Sequence, residues 1–219
     1  MRDTNEGAIE GVGLSAYKDQ MDKCLGEVSL TEEELQAISA AIEIRAYKAG
    51  TILLEAGEIA TECYLNLKGC VRQYYFIDGE EKTTFFYTED QPIASFASAT
   101  KKMPSTHYLS CVEDTVLSVM SFEKEEKLYK KYPRFESLCR IGVEEQLGDY
   151  QEILAKYITS SPEERYLNLL ETRPDLLNRV PQYQLASYLG VKPESLSRIR
   201  KRIMLKPGVN VKLAQVSMT

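Results

Sequence analysis

The chain has 219 residues, a net charge of −6 and 43% hydrophobic residues, a composition typical of a globular protein with one large or two modest domains. No stretch approaches the roughly 20 apolar residues of a transmembrane helix, and the polar, acidic first residues have no signal-peptide character. We therefore expect a cytoplasmic protein that does not engage a membrane. The five cysteines are widely spaced with no C-x-x-C pair, which predicts buried thiols rather than disulfides.

The charge is distributed unevenly along the chain. Residues 160–219 contain ten basic and five acidic residues, a net +5, which leaves −11 for the rest. An acidic body with a basic C-terminal end is expected if only that end meets nucleic acid.

The sequence of the N-terminal half predicts short helices followed by β-strands. A short helix is expected at residues 14–25, and Thr31 with Glu34 predicts a capped helix start. From residue 42 to 122, short apolar runs alternate with turn residues, as in an all-β domain, and Asp78-Gly79 marks a hairpin. The predicted strands are residues 43–47, 51–54, 62–67, 70–77, 81–87, 107–111 and 115–121.

A short charged helix at residues 122–132 precedes a long helical pattern that Pro133 opens and that runs to about residue 159. Apolar residues recur along the long helix at three- and four-residue steps: Leu147, Tyr150, Leu154, Tyr157 and Ile158. Such a seam favours packing against a partner helix. Packing only against the chain's own β-domain is the alternative.

The C-terminal segment predicts a helix-turn-helix. Ser161 and Pro162 mark a hinge and a new helix start. A helix over residues 182–189 ends at Gly190, and Pro193 suits the first turn of a second helix. The second helix has an apolar stripe on one side and basic residues on the others, which is typical of this motif. Alternating apolar residues at 209–213 indicate one strand of a wing.

The second helix has the residue types that read DNA in the major groove. Arginine suits guanine, glutamate can accept from cytosine, and serine can bond a base or a phosphate. The candidate base-reading residues are Glu194, Ser197 and Arg198. The candidate backbone contacts, which would add affinity without sequence information, are Gln182, Tyr183, Lys192, Ser195, Arg200, Lys201 and Arg202. Ordinary surface helices with a solvated basic face are the alternative.

Residues 180–203, VPQYQLASYLGVKPESLSRIRKRI, resemble the DNA-binding end of the CRP/FNR family of bacterial transcription regulators, in the form common in Bacteroidetes-like bacteria. Residues 49–50, 57, 64–72 and 78–80 resemble the β-roll sensor of the same family. The resemblance implies base contacts by Glu194, Ser197 and Arg198, a homodimer on a two-fold symmetric double-stranded DNA site, and RNA polymerase as a partner.

The fold expected from this resemblance is α+β. It comprises an N-terminal extension (1–28), a cyclic-nucleotide-binding-like β-roll (29–132), a dimerisation helix (133–160) and a winged helix-turn-helix (161–219).

The resemblance also points to a departure in the effector site. The cyclic-AMP-binding branch uses a Glu for the ribose and an Arg for the phosphate, and these positions fall here on Ser95 and on Ser105-Thr106. Serine cannot replace a bidentate arginine, so we expect no tight binding of cyclic AMP as the effector, and no cofactor. The segment forms either a pocket for another small molecule or a filled core. Its candidate lining residues are Phe85, Ser95, Phe96, Ser105 and Thr106.

Two other functions are alternatives to DNA binding. The first is a small-molecule-binding module whose C-terminal domain meets a protein partner; a weak salt dependence of binding would favour it. The second is an enzyme, which the sequence disfavours: it has one histidine, no nucleophile elbow and no phosphate-binding glycine loop. No metal site is expected.

Overall fold

A computed structural model describes residues 31–204, without the side chains of residues 138 and 145. The expected extension, the helix at 14–25 and the wing strand at 209–213 fall largely or wholly outside these residues. The chain divides into two compact units. The first contains the described residues up to Gln73 together with Phe86–Gly148, and the second contains Tyr74–Phe85 and the described residues from Asp149 onward.

The elements follow the predicted order of short helix, strands, long helix and helix-turn-helix. The strands are β1 (Glu43–Tyr47), β2 (Ile52–Leu54), β3 (Glu62–Lys68), β4 (Val71–Ile77), β5 (Glu80–Tyr87), β6 (Pro92–Ile93), β7 (Tyr108–Cys111) and β8 (Thr115–Ser121). The helices are α1 (Glu32–Ala41), α2 (Phe96–Lys101), α3 (Phe122–Lys131), α4 (Pro133–Thr159), α5 (Pro162–Thr172), α6 (Leu176–Arg179), α7 (Gln182–Tyr188) and α8 (Pro193–Met204). The seven predicted strands are confirmed with ends within one residue. The short elements β6 and α6 were not predicted, and α2 lies within residues 91–102, where the sequence indicates either a short helix or an irregular segment.

The strands form two four-stranded sheets, in the orders β1-β8-β3-β6 and β2-β7-β4-β5. In the first sheet, β8 pairs antiparallel with both β1 and β3, so Val119 stands opposite Glu43 on one side and Tyr64 on the other. The turn before β4 requires glycine. Gly69 has a φ of +109°, and a Cβ there would lie 2.7 Å from the Cα of Thr115.

The helices around the first sheet share one apolar core. Ile38 of α1, Met120 of β8, Leu128 of α3 and Phe135 of α4 are buried against each other. α1 begins at the predicted capping box: Thr31 Oγ1 accepts from the Glu34 amide, and the Glu34 carboxylate accepts from the Thr31 amide at 2.8 Å. The Thr31 backbone hydrogen bond is the main reason why the pKa of Glu34 lies below its usual value.

The four described cysteines are free thiols, as predicted. Cys70 and Cys111 are buried, and Cys63 and Cys139 are partly buried. Burial raises the pKa of Cys111 to about 12 and that of Cys139 to about 11. These thiols are therefore protonated near neutral pH and behave as small apolar residues.

The second unit consists of the C-terminal helices together with the tip of the hairpin formed by β4 and β5. Ser161 caps the start of α5, as predicted, and Glu164 completes a capping box with it. The hairpin tip turns at Asp78 and Gly79, both with positive φ, as the Asp-Gly signal predicts. Beyond this turn the Ser187 hydroxyl of α7 donates to the Glu81 carbonyl at 2.7 Å and accepts from the Thr83 amide at 2.9 Å.

Candidate nucleic-acid interface

The turn between α7 and α8 is closed by backbone hydrogen bonds that only a glycine accommodates well. Gly190 has a φ of +68°, and its amide donates to the Ser187 carbonyl at 3.0 Å. The Val191 amide donates to the Ala186 carbonyl at 2.9 Å. Together these two bonds form a Schellman motif, which satisfies the free carbonyls at the end of α7. The predicted role of Gly190 as a helix stop is confirmed.

α8 begins at Pro193, as predicted, and packs through a single apolar stripe. Leu196, Ile199 and Ile203 are at most 6% exposed. The amides of Ser195 and Leu196 donate to the Lys192 carbonyl at the start of the helix. This stripe fixes the rotation of α8 about its axis, so the opposite face is presented to solvent.

The three candidate base-reading residues lie on that exposed face. Glu194, Ser197 and Arg198 are all exposed, and their spacing of three and four residues places them side by side on the first turns of α8. Within residues 31–204, no hydrogen bond or ion pair holds any of the three side chains. A guanidinium, a hydroxyl and a carboxylate are thus available together for a ligand with mixed donors and acceptors.

Basic and polar residues flank this face. Ser197, Arg200 and Lys201 line an open depression of about 430 Å³, whose other lining residues are Gln182 and Met204. The depression brings two positive charges next to hydroxyl and amide groups, which suits an anionic oxygen such as a phosphate.

The remaining candidate backbone residues differ in their surroundings. Lys192 and Tyr183 are exposed, and Ser195 is half-buried. Arg202 has an acidic partner within the domain, because its guanidinium lies 3.1 Å from the Glu163 carboxylate of α5. Its charge is therefore partly compensated, whereas no such ion pair holds Lys201 among the described residues.

The candidate effector residues do not share one environment. Ser95 and Ser105 are buried, and Ser105 Oγ both donates to the His107 carbonyl at 2.9 Å and accepts from the His107 amide. Phe96 is 41% exposed, and Thr106 is also exposed.

Phe85 belongs to the second unit and packs edge-on against Tyr150 of α4, with ring centroids 4.9 Å apart. Arg72 of β4, which is not among the candidate effector residues, is buried in the first unit.

The apolar seam predicted on α4 is largely open to solvent in the single chain. Leu147, Leu154 and Ile158 are 55%, 59% and 72% exposed, and Tyr157 is 44% exposed. Tyr150 is half-buried by its contact with Phe85. Large apolar side chains repeated along one helix at this exposure are typical of a surface that a partner covers.

The described residues also bear on two other kinds of site, a membrane span and a metal site. Among the helices between residues 31 and 204, none combines the length and the apolarity needed to cross a bilayer. In the same part of the chain, no group of three or more His, Cys, Asp and Glu side chains is arranged to hold a metal ion.

The architecture is a two-sheet β-roll followed by a 27-residue helix and a helix-turn-helix. Residues 44–132 match the cyclic nucleotide-binding domain family. No curated protein matches the chain significantly.

Solved structures share the fold over most of the chain. The global regulator CLP of Xanthomonas campestris, described as c-di-GMP responsive, is 17% identical with a TM-score of 0.64, and the match covers 80% of this chain and 92% of CLP. A CRP/FNR-family transcriptional regulator from Eubacterium rectale is 18% identical with a TM-score of 0.63, over 80% and 84% of the two chains. FixK2 from Bradyrhizobium japonicum is 15% identical with a TM-score of 0.61, over 74% and 84%.

The predicted combination of a cyclic-nucleotide-binding-like β-roll with C-terminal helices, and the likeness to CRP/FNR regulators, are therefore confirmed. The Bacteroidetes-like subgroup stays a prediction.

Proposed function

We propose that this protein is a cytoplasmic, sequence-specific DNA-binding transcription regulator that acts as a homodimer. The observation that carries the proposal is the exposed face of α8, where Glu194, Ser197 and Arg198 stand together beside a basic depression. A helix of this kind fits the major groove with its N-terminal residues on base edges. Arg198 would pair with guanine and Glu194 would accept from cytosine.

The homodimer is supported by the exposed apolar seam of α4. Val143, Leu147, Tyr150, Leu154 and Tyr157 alternate at four- and three-residue steps, which is the heptad spacing of a two-stranded coiled coil. Pairing two copies of this helix would bury the seam and supply two reading helices. A two-fold symmetric DNA site then follows from the two-fold symmetry of the protein.

The effector domain is proposed to lack tight affinity for cyclic AMP. Ser95 and Ser105, at the positions compared with the nucleotide-binding Glu and Arg, are buried hydroxyl residues without charge. Lys101 and Lys102 are exposed on and just after α2. Calorimetric titration with cyclic AMP should show no micromolar binding, and an affinity in that range would contradict this part of the proposal. Contact with RNA polymerase is a further expectation.

The salt dependence of binding tests the proposal. Affinity for duplex DNA should fall steeply with salt, because each phosphate contact releases counterions and adds roughly 0.9 to the log–log slope. Lys201→Ala should lower the slope by about 2 per dimer, since each protomer loses one contact. Lys127→Ala is the matched control, because this exposed lysine lies on α3 of the first unit in an ion pair with Glu123.

A protein partner for the C-terminal domain gives a different outcome. Binding to DNA would then be absent at modest salt, and α8 variants would leave DNA affinity unchanged. A slope that is equal for wild type and Lys201→Ala would also contradict the proposed phosphate contact.

A further inference from the structure

Arg165 of α5 joins the ends of two other helices. Its Nε donates to the Leu189 carbonyl at 3.0 Å, at the C-terminal cap of α7. Its Nη1 donates to the Ser160 carbonyl at 2.7 Å and to the Tyr157 carbonyl at 3.1 Å, at the C-terminal end of α4. Carbonyls at helix ends lack intrahelical partners and carry partial negative charge, so a cation between two such ends is favourable to both.

Tyr157 completes this arrangement from the side of α4. The guanidinium carbon of Arg165 lies 4.6 Å from the centroid of the Tyr157 ring, within the range of a cation–π contact. The same tyrosine packs on the turn of the helix-turn-helix: a Cβ added at Gly190 would overlap its hydroxyl oxygen and lie 3.1 Å from its Cζ. One guanidinium and one aromatic ring thus connect the end of α4 to the turn that precedes α8.

We infer that Arg165 is a positioning residue for DNA reading, which fixes the reading helix relative to the dimerisation helix. The inference rests on the proposed function, because it concerns how two reading helices are spaced. Arg165 is half-buried and its Nε and Nη1 donate to protein carbonyls, so it acts through α7 and α8 rather than on bases. A planar guanidinium binds several carbonyls in one fixed geometry, which a lysine ammonium on a flexible stem does not reproduce.

The contacts of Arg165 with the ends of α4 and α7, here called the Arg165 clamp, predict that Arg165→Lys loses the preference for one spacing between half-sites. The half-site preference should persist, because Glu194, Ser197 and Arg198 are unchanged. The preferred distance between half-sites should broaden, because the angle between α4 and α8 is no longer fixed. A residue with a merely structural role would lower affinity for all sites equally and leave the spacing preference intact.

The test measures affinity for duplexes whose half-sites are moved apart or together by one base pair. Wild type and the control Arg179→Lys, whose arginine pairs with Asp175 in the same domain, should discriminate at least 10-fold against altered spacing. Arg165→Lys should discriminate less than 3-fold. Unchanged discrimination in Arg165→Lys would overturn the inference.

A second readout does not depend on DNA. The Ser160 amide donates to the Lys156 carbonyl of α4, and the Val191 amide donates to the Ala186 carbonyl of α7 across the turn. Hydrogen exchange at these two amides should be about 10-fold faster in Arg165→Lys and unchanged in Arg179→Lys. If wild type selects no DNA, the proposed function fails, and this exchange decides the clamp by itself. Equal exchange rates in wild type and Arg165→Lys would then refute it.

Discussion

Replacing Gly190 by alanine probes the geometry of the helix-turn-helix directly. The φ of +68° costs a residue with a Cβ roughly 1–2 kcal/mol. The new methyl group would also overlap the Tyr157 hydroxyl, and overpacking of this kind costs typically about 1–3 kcal/mol. We therefore expect Gly190→Ala to lower the free energy of opening of this domain by about 2–5 kcal/mol.

The two contributions can be separated in the Tyr157→Phe background. Removing the hydroxyl leaves Cζ, at 3.1 Å, as the nearest atom to the new methyl group. Gly190→Ala should then cost about 1–3 kcal/mol less than it does in wild type, which is a coupling energy typical of residues in contact. Gly50→Ala is the control for backbone strain, because Gly50 has a φ of +82° and open space at its Cβ position. Gly50 lies in the first unit, so the cost of this control is read from exchange of the Cys111 amide, which donates to the Thr51 carbonyl.

Native-state hydrogen exchange of the amides of α7 and α8 is the appropriate assay, because it reports opening of this domain separately from the rest of the chain. The Leu189 amide, bonded to the Leu185 carbonyl at 2.9 Å, is a suitable reporter. An equal cost of Gly190→Ala in both backgrounds would show that Tyr157 does not lie against the turn, and the reasoning would fail.

Three further perturbations test other parts of the structure. Leu154→Ala on the 59% exposed seam should weaken the dimer by about 2 kcal/mol, roughly 30-fold in Kd by sedimentation, and an unchanged Kd would remove the seam from the interface. Ser187→Ala should speed exchange at the Thr83 amide about 10-fold, since its acceptor is lost, whereas unaltered exchange would refute that bond. The pKa of Glu34 is lowered in the folded state, so its contribution to α1 is complete above its unfolded value of 4.5 and disappears as pH falls through the folded pKa. The protection of α1 amides against hydrogen exchange should therefore fall with pH in wild type, and this pH dependence should be lost in Glu34→Ala. Identical pH profiles of protection in the two proteins would contradict the role of Glu34.

Much of the fold follows from local signals in the sequence. The capping boxes at Thr31 and Ser161, the Asp78-Gly79 turn and the glycine stop at Gly190 each depend on residues within a few positions of one another. Such short-range chemistry can be read without knowing the tertiary structure. The two-residue strand β6 and the four-residue helix α6 were not predicted, because segments so short show no periodicity.

The parts of the site that sequence reasoning missed depend on contacts between distant residues. Arg165 donates to backbone carbonyls, and every residue type supplies a carbonyl, so its partners leave no trace in the sequence. The same applies to Ser187, which bonds the backbone of a hairpin more than 100 residues earlier. The exposure of single side chains was also hard to predict where apolar and polar residues are neighbours. Phe96 and Thr106 are exposed, whereas the adjacent Ser95 and Ser105 are buried.

Selection of random double-stranded DNA by the purified full-length protein, with no effector added, tests the central claim most directly. Wild type should enrich a two-fold symmetric site. Arg198→Ala should relax the choice at one base pair in each half-site, with a loss of about 1–3 kcal/mol for each contact removed. Lys127→Ala should enrich the same site as wild type. Enrichment of a site that Arg198→Ala reads equally well would contradict the reading role of α8, and no enrichment with or without cell metabolites would contradict DNA recognition itself.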